Sequence, residues 1–323
     1  MEGKDKLSLC GLCGNNDFTF LFSGHDYIGF SPLTFNVMKC SKCGLVCVNP
    51  YPENLVDYYD AYQKGNLKDD ALLFLLPDRV KKIKKLKNSG KILDIGCGKG
   101  EFLFNMSREG WDVYGCDFYP YVCDLAKKKF GLKNIYNDDF LHVNFPEKSF
   151  DVITLWHVLE HLARPMETLK KINQLLKDDG VLIIESPDFS SIQSRFFKDK
   201  WFSLDVPRHL FQFSPKVLGK RIESAKFKIF KRDYIVNPRI SFIDLKRSLL
   251  RYLGIERYPD KEKLTELTIT TNFRRAKTLW ILARSAFNLV CLLFSLILVL
   301  IHSDSSFRIY CKKMSGRREG ERE

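Results

Sequence analysis

The sequence predicts an α/β fold, a parallel doubly wound sheet flanked by helices and preceded by a small cysteine ribbon. Three observations carry that expectation. From about residue 90 to residue 187, short apolar runs of strand length alternate with helix-length segments, the pattern of successive β–α units. The first run ends in a glycine loop, DIGCGKG at 94–100, and in such sheets ligands bind at the carboxyl ends of the strands. Ahead of it stand two C-x-x-C pairs, Cys10/Cys13 and Cys40/Cys43.

The 323 residues, 45% of them hydrophobic, suffice for one large domain with appendages or two modest domains. A formal net charge of +13 favours anionic partners, whether nucleic acid, membrane or acidic substrate, without choosing among them. The start, MEGKDKLSLC, has no apolar run behind its charges, so no secretory signal is expected. Ten cysteines in a cytoplasmic chain are then reduced, and metal or packing explains them better than disulfides.

In chain order, residues 1–50 are expected to form the ribbon. Cys10, Cys13, Cys40 and Cys43 offer four thiolates to one tetrahedral zinc. Gly14 and Gly44 after each pair let the backbone turn around a metal. The stretch between alternates like short strands. Four thiolates leave no open position for water, so the zinc would be structural. Cys47 falls outside the spacing and reads as packing. Residues 51–88 are a linker with a short helix and then a basic amphipathic helix, broken or restarted near Pro77. Its lysine row reads as a solvated face. Residues 89–239 hold the core, with strands at 91–96, 111–117, 150–156 and 181–187. Helices lie between them, closed at Gly110 and Gly180, and one further helix carries HVLEH at 157–161.

HVLEH matches the H-x-x-E-H pattern of inverted zinc peptidases. On a helix His157 and His161 would share a face with Glu160 beside them. A peptidase would need a third zinc ligand and no cofactor loop upstream, so that reading gives way to the loop. The glycines at 96, 98 and 100 depart from the dinucleotide fingerprint, because the third comes one residue early. Asp94 just before them is hostile to a pyrophosphate and suits a ligand with an amino group and a sulfonium. Asp117 ends the second strand, where a carboxylate accepts ribose hydroxyls. Both features point to S-adenosylmethionine rather than NAD.

From about 90 to 235 the chain resembles a class I S-adenosylmethionine-dependent methyltransferase. ILDIGCGKGEFL, VYGCD, NDDF, FDVITLWHVLEHLARP and LLKDDGVLIIESP stand in the order of that family's motifs. The resemblance implies a Rossmann-like, seven-stranded methyltransferase sheet. It implies cofactor contacts from Asp94, Gly96, Cys97, Gly98 and Gly100, from Asp117 and Phe118, from Asp138, Asp139 and Phe140, and from Leu155 and Trp156. The ribbon, with CGLVCVNPYPE after its second pair, resembles the zinc-bearing subgroup, which acts largely on sugars, glycans and related small molecules. Ubiquinone-type relatives methylate phenolic hydroxyls. The acceptor implied is thus a sugar, glycan or lipid-linked small molecule, methylated on oxygen or carbon. In the family a histidine of an HLxxFS segment lies over the acceptor pocket, which makes His209 the first candidate for the base. Arg208 would pair an acidic acceptor or a nearby carboxylate. His161 and Glu160 are further candidates. Relatives carry E-x-x-E-H there and can bind a divalent metal, and His157 in place of the first glutamate puts that metal in doubt. Two alternatives are an RNA methyltransferase using ribbon and basic surface, and a non-catalytic docking protein. TLWH stands where an amino-methylating enzyme would carry N-P-P-[YW].

Beyond the core, 227–236 and 305–313 read as a closing antiparallel pair, the second followed by a disordered tail to 323. The insertion 240–304 contains SAFNLVCLLFSLILVLI, 285–301, 17 residues without a charge and at the lower limit for a spanning helix. Spanning would leave the last strand across the bilayer from its sheet. An in-plane or re-entrant contact on the inner face of a membrane, or a partner-binding helix, is expected instead. Lys277, Arg284, Arg308 and Lys312 flank it as headgroup contacts.

Overall fold

The computed structural model describes residues 9–27, 33–52, 55, 57–59, 75–235, 237–255, 273–300 and 306–314; on the 273–300 helix, side chains are described for 285–298. The opening strands are β1 (Phe18–His25), β2 (Thr34–Cys40) and β3 (Val46–Val48), followed by α1 (Leu76–Lys84). The repeating units are β4 (Lys91–Ile95), α2 (Glu101–Arg108), β5 (Asp112–Asp117), α3 (Pro120–Phe130), β6 (Ile135–Asn137), β7 (Phe150–Trp156), α4 (Pro165–Leu175) and β8 (Leu176–Pro187). Then come α5 (Ile192–Phe197), β9 (Phe211–Gln212), α6 (Pro215–Ser224), β10 (Phe227–Tyr234), α7 (Pro238–Tyr252), α8 (Phe273–Leu300) and β11 (Ser306–Lys313).

Seven strands form one sheet in the order β10-β11-β8-β7-β4-β5-β6. β4 to β8 run parallel, β11 pairs antiparallel with β8, and β10 antiparallel with β11. The closing pair is the one expected from the sequence. Every residue of β7 is buried, which explains its unbroken apolar run: a central parallel strand is covered on both faces. From β4 the chain winds outward to β6, then returns to lay β7 on the other side of β4. That reversal opens a crevice at the carboxyl ends of the strands.

Two expected helices are corrected. α4 stops at Leu175, and 176–180 belong to β8, so Gly180 lies in a strand and does not end a helix. The last carbonyls of the helix, on Gln174 and Leu175, accept hydrogen bonds from the backbone N–H groups of Lys148 and Ser149, both at 2.9 Å. Further helical turns have no call on them. HVLEH is not an α-helix either. His157 has φ +57° and only Leu159–His161 form a single 3₁₀ turn. The His157 N–H donates to the Glu185 carbonyl at 2.9 Å, extending the β7–β8 ladder by one residue. The two histidines therefore face different neighbours.

The ribbon sheet has the order β1-β2-β3-β9, so its fourth strand, Phe211–Gln212, comes from beyond the core's fifth parallel strand. Leu45, Cys47, Phe211 and Phe213 belong to the same buried cluster as Ile95 and Leu155. In the insertion, α7 and α8 pack together, and Leu245 and Leu298 share a buried cluster with Trp201. No helix among the described residues is long and apolar enough to cross a membrane. Arg308 does not flank α8 as a headgroup contact: it is 1% exposed and its guanidinium lies on Glu185. The side chains of Lys277 and Arg284, most of the 51–74 linker and the tail after 314 lie outside the described residues.

Candidate active site

A cleft of about 370 Å³ opens at the carboxyl ends of β4, β5 and β7. One wall is local in sequence. Asp117 ends β5, and its two oxygens accept the N–H groups of Gly98 at 2.9 Å and Tyr119 at 3.0 Å. Burial raises its pKa, against the pull of those backbone donors. One carboxylate thus fastens the glycine loop to the next strand. Gly96 has φ +70°, and a Cβ there would run into the side chain of Val158, so this position excludes larger residues on two counts. Phe118, Asp138, Asp139 and Phe140 complete the wall.

Several expected cofactor contacts sit behind this wall. Asp94 is 2% exposed and accepts a hydrogen bond from the Thr154 hydroxyl at 2.6 Å. Burial pushes its pKa up to about 7, with Thr154 and Arg79 opposing. Cys97 packs against Gly115, and Gly100 starts α2 beside Ala126. Leu155 and Trp156 lie in the sheet core, the indole against Phe102 and the guanidinium groups of Arg79 and Arg308.

The opposite wall, with Tyr59, His157 and His161, is backed by side chains from distant segments. Glu185, near the end of β8, is fully buried and paired with Arg79 at 2.5 Å, Arg308 at 2.6 Å and His157 Nε2 at 3.2 Å. His157 Nδ1 lies 3.5 Å from Glu160, whose other oxygen accepts from the Ser186 hydroxyl at 3.2 Å. Burial alone would depress the His157 pKa, but Glu160 and Glu185 outweigh it and raise the value to about 9. His157 is therefore an imidazolium at neutral pH.

His161 lines the cleft in the opposite state. Its Nδ1 is 3.0 Å from the Arg208 carbonyl and 2.6 Å from the Tyr59 hydroxyl. A carbonyl only accepts, so the Arg208 contact assigns the proton to Nδ1 and leaves Nε2 the acceptor of the ring. Burial, then the neighbouring His209, lower its pKa to about 4. His209 stacks edge-on behind it, ring centroids 4.6 Å apart, with Nδ1 donating to the Ser203 carbonyl at 2.9 Å. His209 does not line the cleft; His161 does. Arg208 pairs with Asp26 at 2.9 Å and with Asp205, so its partners are carboxylates of the protein. Glu160, His161 and His209 also bring one donor atom each within 4.8 Å of one another. His157 Nδ1, 3.5 Å from Glu160, stands beside this set. Tyr59 was missed by the sequence reading, because nothing local marks a partner 102 residues away.

At the ribbon, the Cys10–Cys43 and Cys13–Cys40 sulfurs are 3.6 Å apart, and all four lie within 4.8 Å. Four thiolates on one tetrahedral zinc would stand about 3.8 Å apart, so the donor set fits. The carbonyls of Cys10 and Cys40 accept the N–H groups of Gly14 and Gly44 at 2.8 and 2.9 Å, closing both knuckles. Asn15 donates toward the Cys40 sulfur at 3.6 Å.

Sheet order and cleft together define the class I S-adenosylmethionine-dependent methyltransferase fold. The family described as "Methyltransferase domain" matches residues 59–231, more than half of the chain, and the chain belongs to that family. It is 30% identical over 131 residues to the mitochondrial ubiquinone biosynthesis O-methyltransferase of Schizosaccharomyces pombe, covering 39% of this chain and 46% of that one. It is 29% identical over 153 residues to the demethylmenaquinone methyltransferase of Lactobacillus johnsonii, covering 44% and 60%. These matches span about half the length of the curated relatives. A chain from the solved complex of the Haloferax volcanii Trm112 methyltransferase activator with a methyltransferase shares the fold. Its TM-score is 0.52 at 14% identity, over 82% of this chain and 99% of that one.

Proposed function

We propose that the protein transfers the methyl group of S-adenosylmethionine to a small-molecule acceptor, on oxygen or carbon. The observation that carries this is a single cleft with a carboxylate-clasped glycine loop on one wall and a half-buried histidine on the other. S-adenosylmethionine would supply an electrophilic methyl on sulfonium. Asp117 is suited to its ribose hydroxyls, Asp138, Asp139 and Phe140 to the adenine edge, and the Gly96–Gly100 loop to the methionine end. For a hydroxyl acceptor, the methyl would pass from the sulfonium to the hydroxyl oxygen, and His161 would be the residue placed to take the hydroxyl proton. Tyr59 and the Arg208 carbonyl hold that ring in its tautomer, with His209 packed behind it. Alignment of the three reacting atoms is the larger share of the work.

The acceptor class we favour is a sugar, glycan or lipid-linked intermediate. The cysteine ribbon and the HLxxFS segment support it, and the quinone-pathway names of the relatives support a small molecule in general. We read 1–50 as a ribbon holding one structural zinc, 89–239 as the cofactor core, and the protein as working in the cytoplasm. An RNA acceptor is less well supported, because Lys82, Lys84 and Lys87 on and after α1 pair with Asp233, Glu109 and Asp179. The test is incubation with methyl-labelled S-adenosylmethionine and pools of phenols, nucleotide sugars, lipid-linked sugars and RNA. Label in one of the first three pools is expected. Confirmed cofactor binding with no transfer to any small-molecule pool would overturn the proposal.

A further inference from the structure

We propose that α8 seats its exposed face in one leaflet of an anionic membrane. Between 285 and 298, three side chains turn inward: Cys291, Ser295 and Leu298, at 1%, 0% and 8% exposure. They stand at i, i+4 and i+7, one stripe on the side that packs against α7. Leu289, Val290, Leu292, Leu293, Phe294, Leu296 and Ile297 are all between 39% and 58% exposed. At 3.6 residues per turn these seven cover an arc of about 200°. Scattered surface leucines need no explanation, but a contiguous apolar face of this kind marks an interaction surface.

Length and charge select the occupant. The charge-free part of the helix, from 285 to its end at Leu300, extends roughly 24 Å, short of the hydrocarbon thickness. One side of the helix is already held along α7, so the helix lies sideways, which is the geometry of an in-plane helix and not of a spanning one. The helix begins FRRAKTLWILAR, with four basic residues and no acid before the apolar run, as anionic headgroups favour. A second copy of this chain is the worse partner, because each copy carries a net charge of +13 and the two would repel. The proposal does not depend on the methyl-transfer reading, since lipid binding is measured without substrate.

The full chain is sedimented with vesicles of mixed phosphatidylglycerol and phosphatidylcholine, and with phosphatidylcholine alone. Binding to the anionic vesicles, weakened by salt, is expected. The combined variant Leu289→Ser, Leu293→Ser, Phe294→Ser removes only exposed side chains. It should lose roughly tenfold or more in vesicle affinity while binding S-adenosylmethionine as the parent does. The single variant Phe294→Ser should show a partial loss. Absence of binding to anionic vesicles would overturn the proposal. So would undiminished binding by the triple variant, or a parent dimer that the triple variant abolishes without any lipid binding.

Discussion

The two walls of the cleft differ in how far along the chain their contacts reach. On the glycine-loop wall, Asp117 holds Gly98 across 19 residues, and Asn137 donates to the Asp117 carbonyl across 20. On and behind the histidine wall, Tyr59 meets His161 across 102 residues, Arg79 meets Glu185 across 106, Arg308 meets Glu185 across 123, and Arg208 meets Asp26 across 182. The first wall is made of consecutive β–α units and forms wherever those units form. The second exists only when the ribbon, α1, the 203–209 segment and the last strand have all come together. Its histidines reflect this: the His157 pKa is raised and the His161 pKa lowered, four residues apart.

If the histidine wall depends on long-range pairing, its largest weakness is Glu185. Glu185→Ala strands Arg79, Arg308 and His157 without their shared counter-charge, and the expected loss is about 3–5 kcal/mol in urea unfolding. Glu185→Gln keeps the shape and hydrogen-bonding oxygen and should lose less. A loss within experimental error would mean that the wall does not need its ion cluster.

The local wall should respond differently. Asp117→Ala removes the clasp on the glycine loop and the expected ribose acceptor together. S-adenosylmethionine affinity should fall by about 1.5–3 kcal/mol by calorimetry, with the unfolding midpoint nearly unchanged. A large stability loss with unaltered affinity would reverse the roles assigned to the two walls.

A further effect is in pH dependence. His157 has a folded pKa raised to about 9 from an ordinary 6.5. Its contribution is complete below 6.5 and is lost as pH rises through 9. His161, lowered to about 4, acts in the other direction: stability falls as pH drops from 6.5 toward 4, because only the unfolded ring takes a proton. In His157→Asn, a residue that tolerates positive φ, the alkaline decline should flatten while the acid one persists. Denaturant titrations across this range check both limbs.

The same difference in range explains what was legible in the sequence. The strands β4, β5, β7 and β8, the closing pair, Asp117 and the cysteine set follow from local period and spacing, whereas the three-residue β6 is too short to show a period. HVLEH was read as a helix because its letters fit one. The ladder bond from His157 to Glu185 and the bare α-carbon of Gly96, against which Val158 packs, decide otherwise, and neither is local. Arg308 looked like a headgroup contact for a flanking helix, yet it is drawn inward by a glutamate 123 positions earlier. His209 stood out by its motif, and the side chain that reaches the cleft is the histidine in front of it.

One measurement bears most directly on the proposed mechanism: single-turnover methyl transfer by the His161→Ala and His209→Ala variants, each with its S-adenosylmethionine affinity. With His161 as the proton acceptor, His161→Ala should slow transfer about 10²–10⁴-fold at unchanged cofactor affinity, and His209→Ala should slow it less. A His161→Ala variant that transfers methyl at the parent rate would contradict the account.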